Sequence, residues 1–466
     1  MSTEPDLAIV GGVVVTAEGV RRSDVLVSNG RVVAIARQGD DLGARRTVDA
    51  SGLMVMPGMV DTHVHLMDPG ASEREDFPTG TAAAAARGVT TIVEHTHAHP
   101  VRTAEELSEK LAWVRGRSHV DFGLAAHVWP DRLYALEAAW RAGVTFFKVF
   151  TCTTHGVPGI EGDALRSVFE RVASFDGVCL VHCEDERLTT EAEAALRAEG
   201  REDPGVLVEW RSPQAEARAV AAVTEAARVT GARITIAHVS SPEVARLVEA
   251  ARAQGAVIGA EACPQYLLLD EDEVEQHGAF RKFTPPARNR SSDDRAAMWR
   301  LLSDGVLTHV ATDHAPSTVA QKSDGGIWEA PFGLPGLDTT MRLMLDAVAK
   351  GRLRWHDLVR RYSLEPARRY GLSERKGHLA PGADADILLV DPETSVTISD
   401  EDVISKAGWT PFAGRRTQGD VVSVFLRGEE VAADGEPFDA RRGRFLPGPG
   451  ARASASAVAR WEGAER

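Results

Sequence analysis

Five short apolar runs in this chain each end in histidine, lysine or aspartate, and that recurring pattern constrains the fold more than any other feature. The run LMVMPGMVDTHVH closes on His63 and His65, VTFFKVF carries Lys148, VCLVHCED carries His182, ITIAHVSS carries His238, and THVATDHAPS carries Asp313. Side chains alternate across a strand, so His63 and His65 point to one face and can share one metal ion. Each polar candidate stands where a β-type run stops and a loop begins. The upper rim of a (β/α)8 barrel is furnished in this way, with functional side chains from the C-terminal ends of several strands. Lys148 sits among aromatic and aliphatic neighbours, which predicts burial rather than a surface lysine.

The organisation of the rest agrees with a barrel. Residues 7 to 60 hold short Val/Ile-rich runs punctuated by Gly, Asn and Asp, which is strand-and-turn composition. From residue 79 to about 375, Ala-rich amphipathic segments (TGTAAAAARG, EARAVAAVTEAARVTG, PEVARLVEAARAQG) alternate with short apolar runs (VTTIVEH, VDFGLAAHV, ARITIAHV). Helix-period segments between buried strands indicate βα units and a parallel sheet. After GHLAPGADADILLVD the chain returns to short strands. The predicted fold is α/β: a (β/α)8 TIM barrel over 58–378, with a small β-sandwich domain from residues 1–57 and 379–446. Residues 447–466 have little that could build a core and are predicted to form a flexible tail.

At 466 residues the chain is too long for one compact core. Its net charge of −15, without a basic cluster, argues against a nucleic-acid partner or an anionic membrane surface. The start, MSTEPDLAIVGGVVV, lacks the basic segment of a secretory signal, and no apolar stretch is long enough to span a bilayer. A cytoplasmic protein is expected. The four cysteines form no C-x-x-C pair, so buried reduced thiols are predicted, with Cys152 near the presumed site loop.

Together, D-T-H-V-H after M-P-G, the lysine in F-K-V-F, H-C-E-D-E, A-H-V-S-S, T-D-H-A-P and the late G-H-L-A-P-G-A-D-A-D resemble a known family. It is the cyclic-amide branch of the amidohydrolase superfamily, which holds hydantoinases, dihydropyrimidinases, allantoinases and dihydroorotases. The resemblance runs from about residue 7 to 446 and is nearest in pattern to L-hydantoinases and allantoinases. It implies two divalent ions, usually Zn2+ with Mn2+, Fe2+ or Co2+ as alternatives, in the barrel mouth. His63 and His65 would bind one ion, His182 and His238 the other, with Asp313 completing the set. Lys148 would bridge both as a carbamate (N6-carboxylysine), since a free ammonium has no lone pair to donate. A water shared by two ions yields a hydroxide nucleophile near neutral pH, and Asp313 would shuttle its proton to the leaving amide nitrogen. The implied reaction is reversible ring opening of a small cyclic amide, imide or ureide. The resemblance also implies a homotetramer or homodimer.

Departures from the family pattern bear on substrate. Dihydroorotases of this pattern carry arginine at the position of Met67 and asparagine near His97, both reading a substrate carboxylate. Their absence disfavours dihydroorotase, although APFGLPGLDT resembles that family's late loop. D-hydantoinases and dihydropyrimidinases place an oxyanion-stabilising tyrosine where this chain has Thr153. Thr284, Gly333 and Gly336 match positions whose backbone contacts the substrate ring. His95, His97 and His99 would share one face if the strand continued, and His97 is a candidate substrate contact. His314 is expected to be structural. The ring and its enantiomer stay open, with dihydroorotase or dihydropyrimidinase activity as alternatives. Some relatives have lost their ligands and serve as silent scaffolds, but the ligand set here is complete.

Overall fold

The computed structural model describes residues 4–39 and 43–452. Eight parallel segments form a barrel in chain order: Met59–Val64, Val89–Glu94, Asp121–Leu124 continuing into Ala126–His127, Phe147–Phe150, Val178–His182, Arg233–Ile236, Ile258–Ala262 and His309–Val310. The ring closes where His65 N donates to His314 O at 2.8 Å and Val64 bridges His314 in parallel. Almost every residue of these strands is buried, which is why they read as continuous apolar runs rather than alternating ones. Inside, Val60, Val93, Phe146, Val178 and Leu180 belong to an apolar cluster separate from the main core. Phe146, Lys148 and Phe150 alternate along one strand and so share that inner face.

The outer helices start where the sequence supplies a cap. Ser212 accepts a hydrogen bond from Ala215 N and Pro213 fills the first turn of Pro213–Thr230; Ser241 and Pro242 do the same for Pro242–Ala253. In Gly162–Ala173, Leu165, Val168, Phe169 and Val172 form the buried stripe at helical spacing. The Ala-rich helix Phe77–Ala86 departs from its expected amphipathic character. It is buried on nearly all sides, because it lies between the barrel and the sheet built from the two chain ends.

That sheet has ten strands. Leu7–Val10, Val13–Thr16, Gly19–Ser28, Arg31–Arg37, Arg46–Asp49 and Met54–Pro57 come from the N-terminal end; Ile387–Thr397, Arg416–Leu426, Glu429–Ala433 and Glu436–Pro437 come from the C-terminal end. The two sets join where Met54–Pro57 pairs antiparallel with Ile387–Val390. Beyond it, residues 447–452 are not free, as a tail would be. Gly448 N donates to Gly143 O at 2.8 Å, and the short helix Pro449–Arg452 packs on the helix Leu136–Ala142. The remainder of the expected tail lies outside the described residues. Among the described residues no helix is long and apolar enough to cross a membrane, and all four cysteines are buried and unpaired.

A buried cluster ties the terminal segments to the foot of the barrel. Lys376, 1% exposed at its side chain, lies 2.6 Å from Asp121, 3.0 Å from Asp384 and 2.7 Å from Asp386, and Arg427 also reaches Asp121. Removing the ammonium leaves carboxylates buried with too little compensating charge. Lys376→Met is therefore expected to cost about 3–5 kcal/mol of stability, read as a lower denaturation midpoint in urea.

Candidate active site

The six residues singled out at the strand ends converge on one cavity. His63, His65, Lys148, His182, His238 and Asp313 all line it, together with His97, Phe150, His155, Phe283, Thr284, Ala315, Phe332 and Gly333. His63 Nε2 stands 3.2 Å from Lys148 Nζ and 3.1 Å from Asp313 Oδ1, and His65 Nε2 is 3.6 Å from the same oxygen. On the facing side, His182 Nδ1 and His238 Nε2 are 2.9 Å apart. His238 and Asp313 both have positive φ, 34° and 51°. Such backbone is uncommon outside glycine, and here it occurs where each chain segment leaves its strand and turns its side chain into the mouth.

Three of the four imidazoles have their tautomer set from outside the cavity. His63 Nδ1–H donates to Glu261 Oε1 at 2.6 Å, His65 Nδ1–H to the His95 carbonyl at 2.9 Å, and His182 Nε2–H to Glu184 Oε2 at 2.8 Å. Each opposite nitrogen then keeps its lone pair and faces inward. Burial pushes the pKa of His65, His182 and His238 down, which keeps these rings neutral and able to donate to a cation. The same cause lowers Lys148 to about 8. His63, His238 and Asp313 place ligand atoms within 4.8 Å of one another, so the donor set fits divalent ions.

Several supporting residues were missed in the sequence. Glu261 Oε1 accepts from the His63 ring and from His238 N, joining two barrel strands under the cluster. Its one sequence signal is a carboxylate inside an apolar run, AVIGAEAC. Glu184 is held low, to about 2, by Arg211, His182 and Thr284 against the opposing effect of burial. Asp61 accepts from His63 N and Thr312 N and so links the first and last strands. Outer hydrogen bonds of this kind raise ligand basicity and fix ring orientation. Glu261→Gln is expected to weaken metal binding about 10- to 100-fold, measured by equilibrium titration with a chelator competitor.

The expected substrate contacts divide. His97 lines the cavity and stacks on His155, with ring centroids 4.4 Å apart. Gly333 lines it too, and its φ of 113° and close approach to Ala315 O leave no room for a Cβ. Thr284 lines the cavity but its hydroxyl donates to Glu184 Oε2 at 2.6 Å. Gly336 lies outside the lining, and its N–H donates to His314 Nδ1 at 3.1 Å, which gives His314 the structural place expected of it. Thr153 is exposed and absent from the lining. Its N–H donates to Glu186 and its hydroxyl oxygen accepts from Gly159 N, because the chain folds back through the Thr154–Val157 bridge. The histidine trio does not share a face either. The strand ends at Glu94, whose carboxylate accepts from Thr96 N and starts a turn, leaving His95 buried, His97 at the cavity and His99 exposed.

A parallel barrel with imidazoles and a carboxylate converging at the C-terminal ends of its strands offers an enzyme-type site whose donors fit divalent ions. The chain belongs to the amidohydrolase family, whose model matches residues 54–431. It is 38% identical over 439 residues to a dihydroorotase of Halobacterium salinarum, covering 90% of this chain and 98% of that protein. It is 33% identical over 458 residues to an allantoinase of Escherichia coli, covering 95% and 98%. Among solved structures, the L-hydantoinase from Arthrobacter aurescens superposes with a TM-score of 0.91 at 30% identity, covering 95% of this chain and all of that one.

Proposed function

We propose that this protein is a binuclear metal hydrolase that opens a neutral cyclic ureide or imide, of the hydantoinase or allantoinase type. The observation that carries the reading is the convergence of inward-facing imidazole nitrogens on Lys148 and Asp313. His63 and His65 would hold one ion and His182 and His238 the other. Asp313 would complete the set, and Lys148 would serve both ions as a carbamate. Burial favours that carbamate, because an amine lowered to about 8 has an appreciable neutral fraction to attack carbon dioxide. When bound, the two ions supply Lewis acidity, activating a shared water and polarising the scissile carbonyl.

The protein's own groups do the remainder. Asp313 Oδ1, between the His63 and His65 rings, takes a proton from the attacking water and returns it to the departing ring nitrogen. His97, His155, Phe150 and Phe332 form an aromatic wall that excludes water and faces the substituent of the ring. Among the described residues no arginine lines the cavity. Met67, at the position where dihydroorotases of this pattern carry one, is fully buried, with its sulfur accepting from Thr96 Oγ1. A neutral ring suits this wall better than a carboxylate-bearing one.

Dihydroorotate is the second reading, favoured by the 38% identical relative that carries that activity's name. Initial rates on allantoin, hydantoin, both 5-benzylhydantoin enantiomers, dihydrouracil and dihydroorotate separate the two. The protein would be loaded with zinc or manganese in bicarbonate. Turnover of a hydantoin or of allantoin supports the proposal, whereas turnover of dihydroorotate alone replaces it with the second reading.

A further inference from the structure

His95 packs against the ligand cluster without belonging to it in the family pattern. Its ring centroid lies 4.6 Å from that of His63 and 4.5 Å from that of His65, and the residue is 1% exposed. Phe146 meets it edge-on, with ring centroids 5.3 Å apart. Both ring nitrogens are buried, and neither has a hydrogen-bond partner among the described residues. A buried imidazole with two idle nitrogens is costly, so a partner is expected for at least one. One ligand atom from each of His63, His65 and His95 falls within 4.8 Å of the other two, close enough to converge on one ion after small rotamer adjustments. The backbone already commits this residue to the site, because the His95 carbonyl orients the His65 ring.

The neighbouring histidines lack this combination of properties. His97 faces the open cavity and stacks on His155, and His99 is exposed. His127 also has two idle nitrogens, but its ring stands 6.1 Å from that of His95 and stacks on Phe150. It belongs to no group that could hold an ion among the described residues.

We propose that His95 supplies a third imidazole to the ion held by His63 and His65. The proposal rests on the metal reading above and goes beyond it. A further nitrogen ligand raises the coordination number at that position and disfavours zinc, which prefers four ligands, relative to ions content with six. The site would then favour iron or cobalt over zinc on the His63–His65 side.

Cobalt(II) titration of the wild-type protein in bicarbonate, followed by elemental analysis and visible absorption, tests this. The wild type is compared with His95→Ala, His95→Gln and His127→Ala. His95→Gln keeps most of the side-chain volume, so it separates loss of a ligand from loss of the fold. The expected result is two ions per chain in the wild type and in His127→Ala. In both His95 variants one of the two should bind at least about tenfold more weakly, with a more intense absorption as its coordination number falls. Unchanged affinity and spectrum in the His95 variants overturns the proposal, and so does an equal loss in His127→Ala. A wild-type protein that binds no cobalt sinks the metal reading itself, which keeps the two failures distinguishable.

Discussion

Replacing Lys148 with alanine is expected to abolish turnover and leave the protein unable to hold two ions. The side chain is buried at 1% exposure, its nitrogen lies 3.2 Å from His63 Nε2, and it lines the same cavity as both histidine pairs. On the proposed binuclear reading, losing Lys148 would remove both an anionic ligand and the link that keeps two cations close, so the shared water would no longer be activated. The expected fall in kcat/KM is more than about 10³-fold, with at most one tightly bound ion per chain. A short carboxylate such as acetate should restore part of the activity to Lys148→Ala, since it returns two anionic oxygens to the space the side chain leaves. Full activity in the variant would refute the bridging role.

Asp313→Asn is expected to have the next largest effect, and to divide differently between steps. The amide keeps the shape of the carboxylate beside His63 and His65, but it does not accept a proton at neutral pH. Proton transfer by a positioned side chain typically contributes about 10²- to 10⁴-fold, so kcat should fall by that amount while KM changes little. A variant that keeps its ions and an unchanged kcat would refute the proton-transfer role of Asp313.

Much of the site is legible in the chain because barrel strands are buried on both faces. A histidine or lysine that ends such a run stands out against its apolar neighbours, and His63, His65, Lys148, His182, His238 and Asp313 all meet in space. Glu261, Glu184 and Arg211 were harder to read. Their places depend on contacts between strands and loops far apart in sequence, such as Glu261 with His63 across 198 residues. Thr153 shows the converse: its distance from Lys148 along the chain matched a family position, but the local turn and Glu186 direct it outward. The trio His95, His97 and His99 follows a strand's period, yet Glu94 ends the strand and sends each ring to a different environment. The helix Phe77–Ala86 reads as one more outer helix, and only the terminal sheet packed against it explains why alanine is needed on so many of its faces.

The most direct test of the binuclear account is 13C NMR of protein loaded with zinc and 13C-bicarbonate, with metal content determined on the same sample. A carbamate resonance that is absent from Lys148→Ala, together with two ions per chain, is the expected result. Wild-type protein with two ions and no carbamate signal would contradict the bridging lysine at the centre of the account.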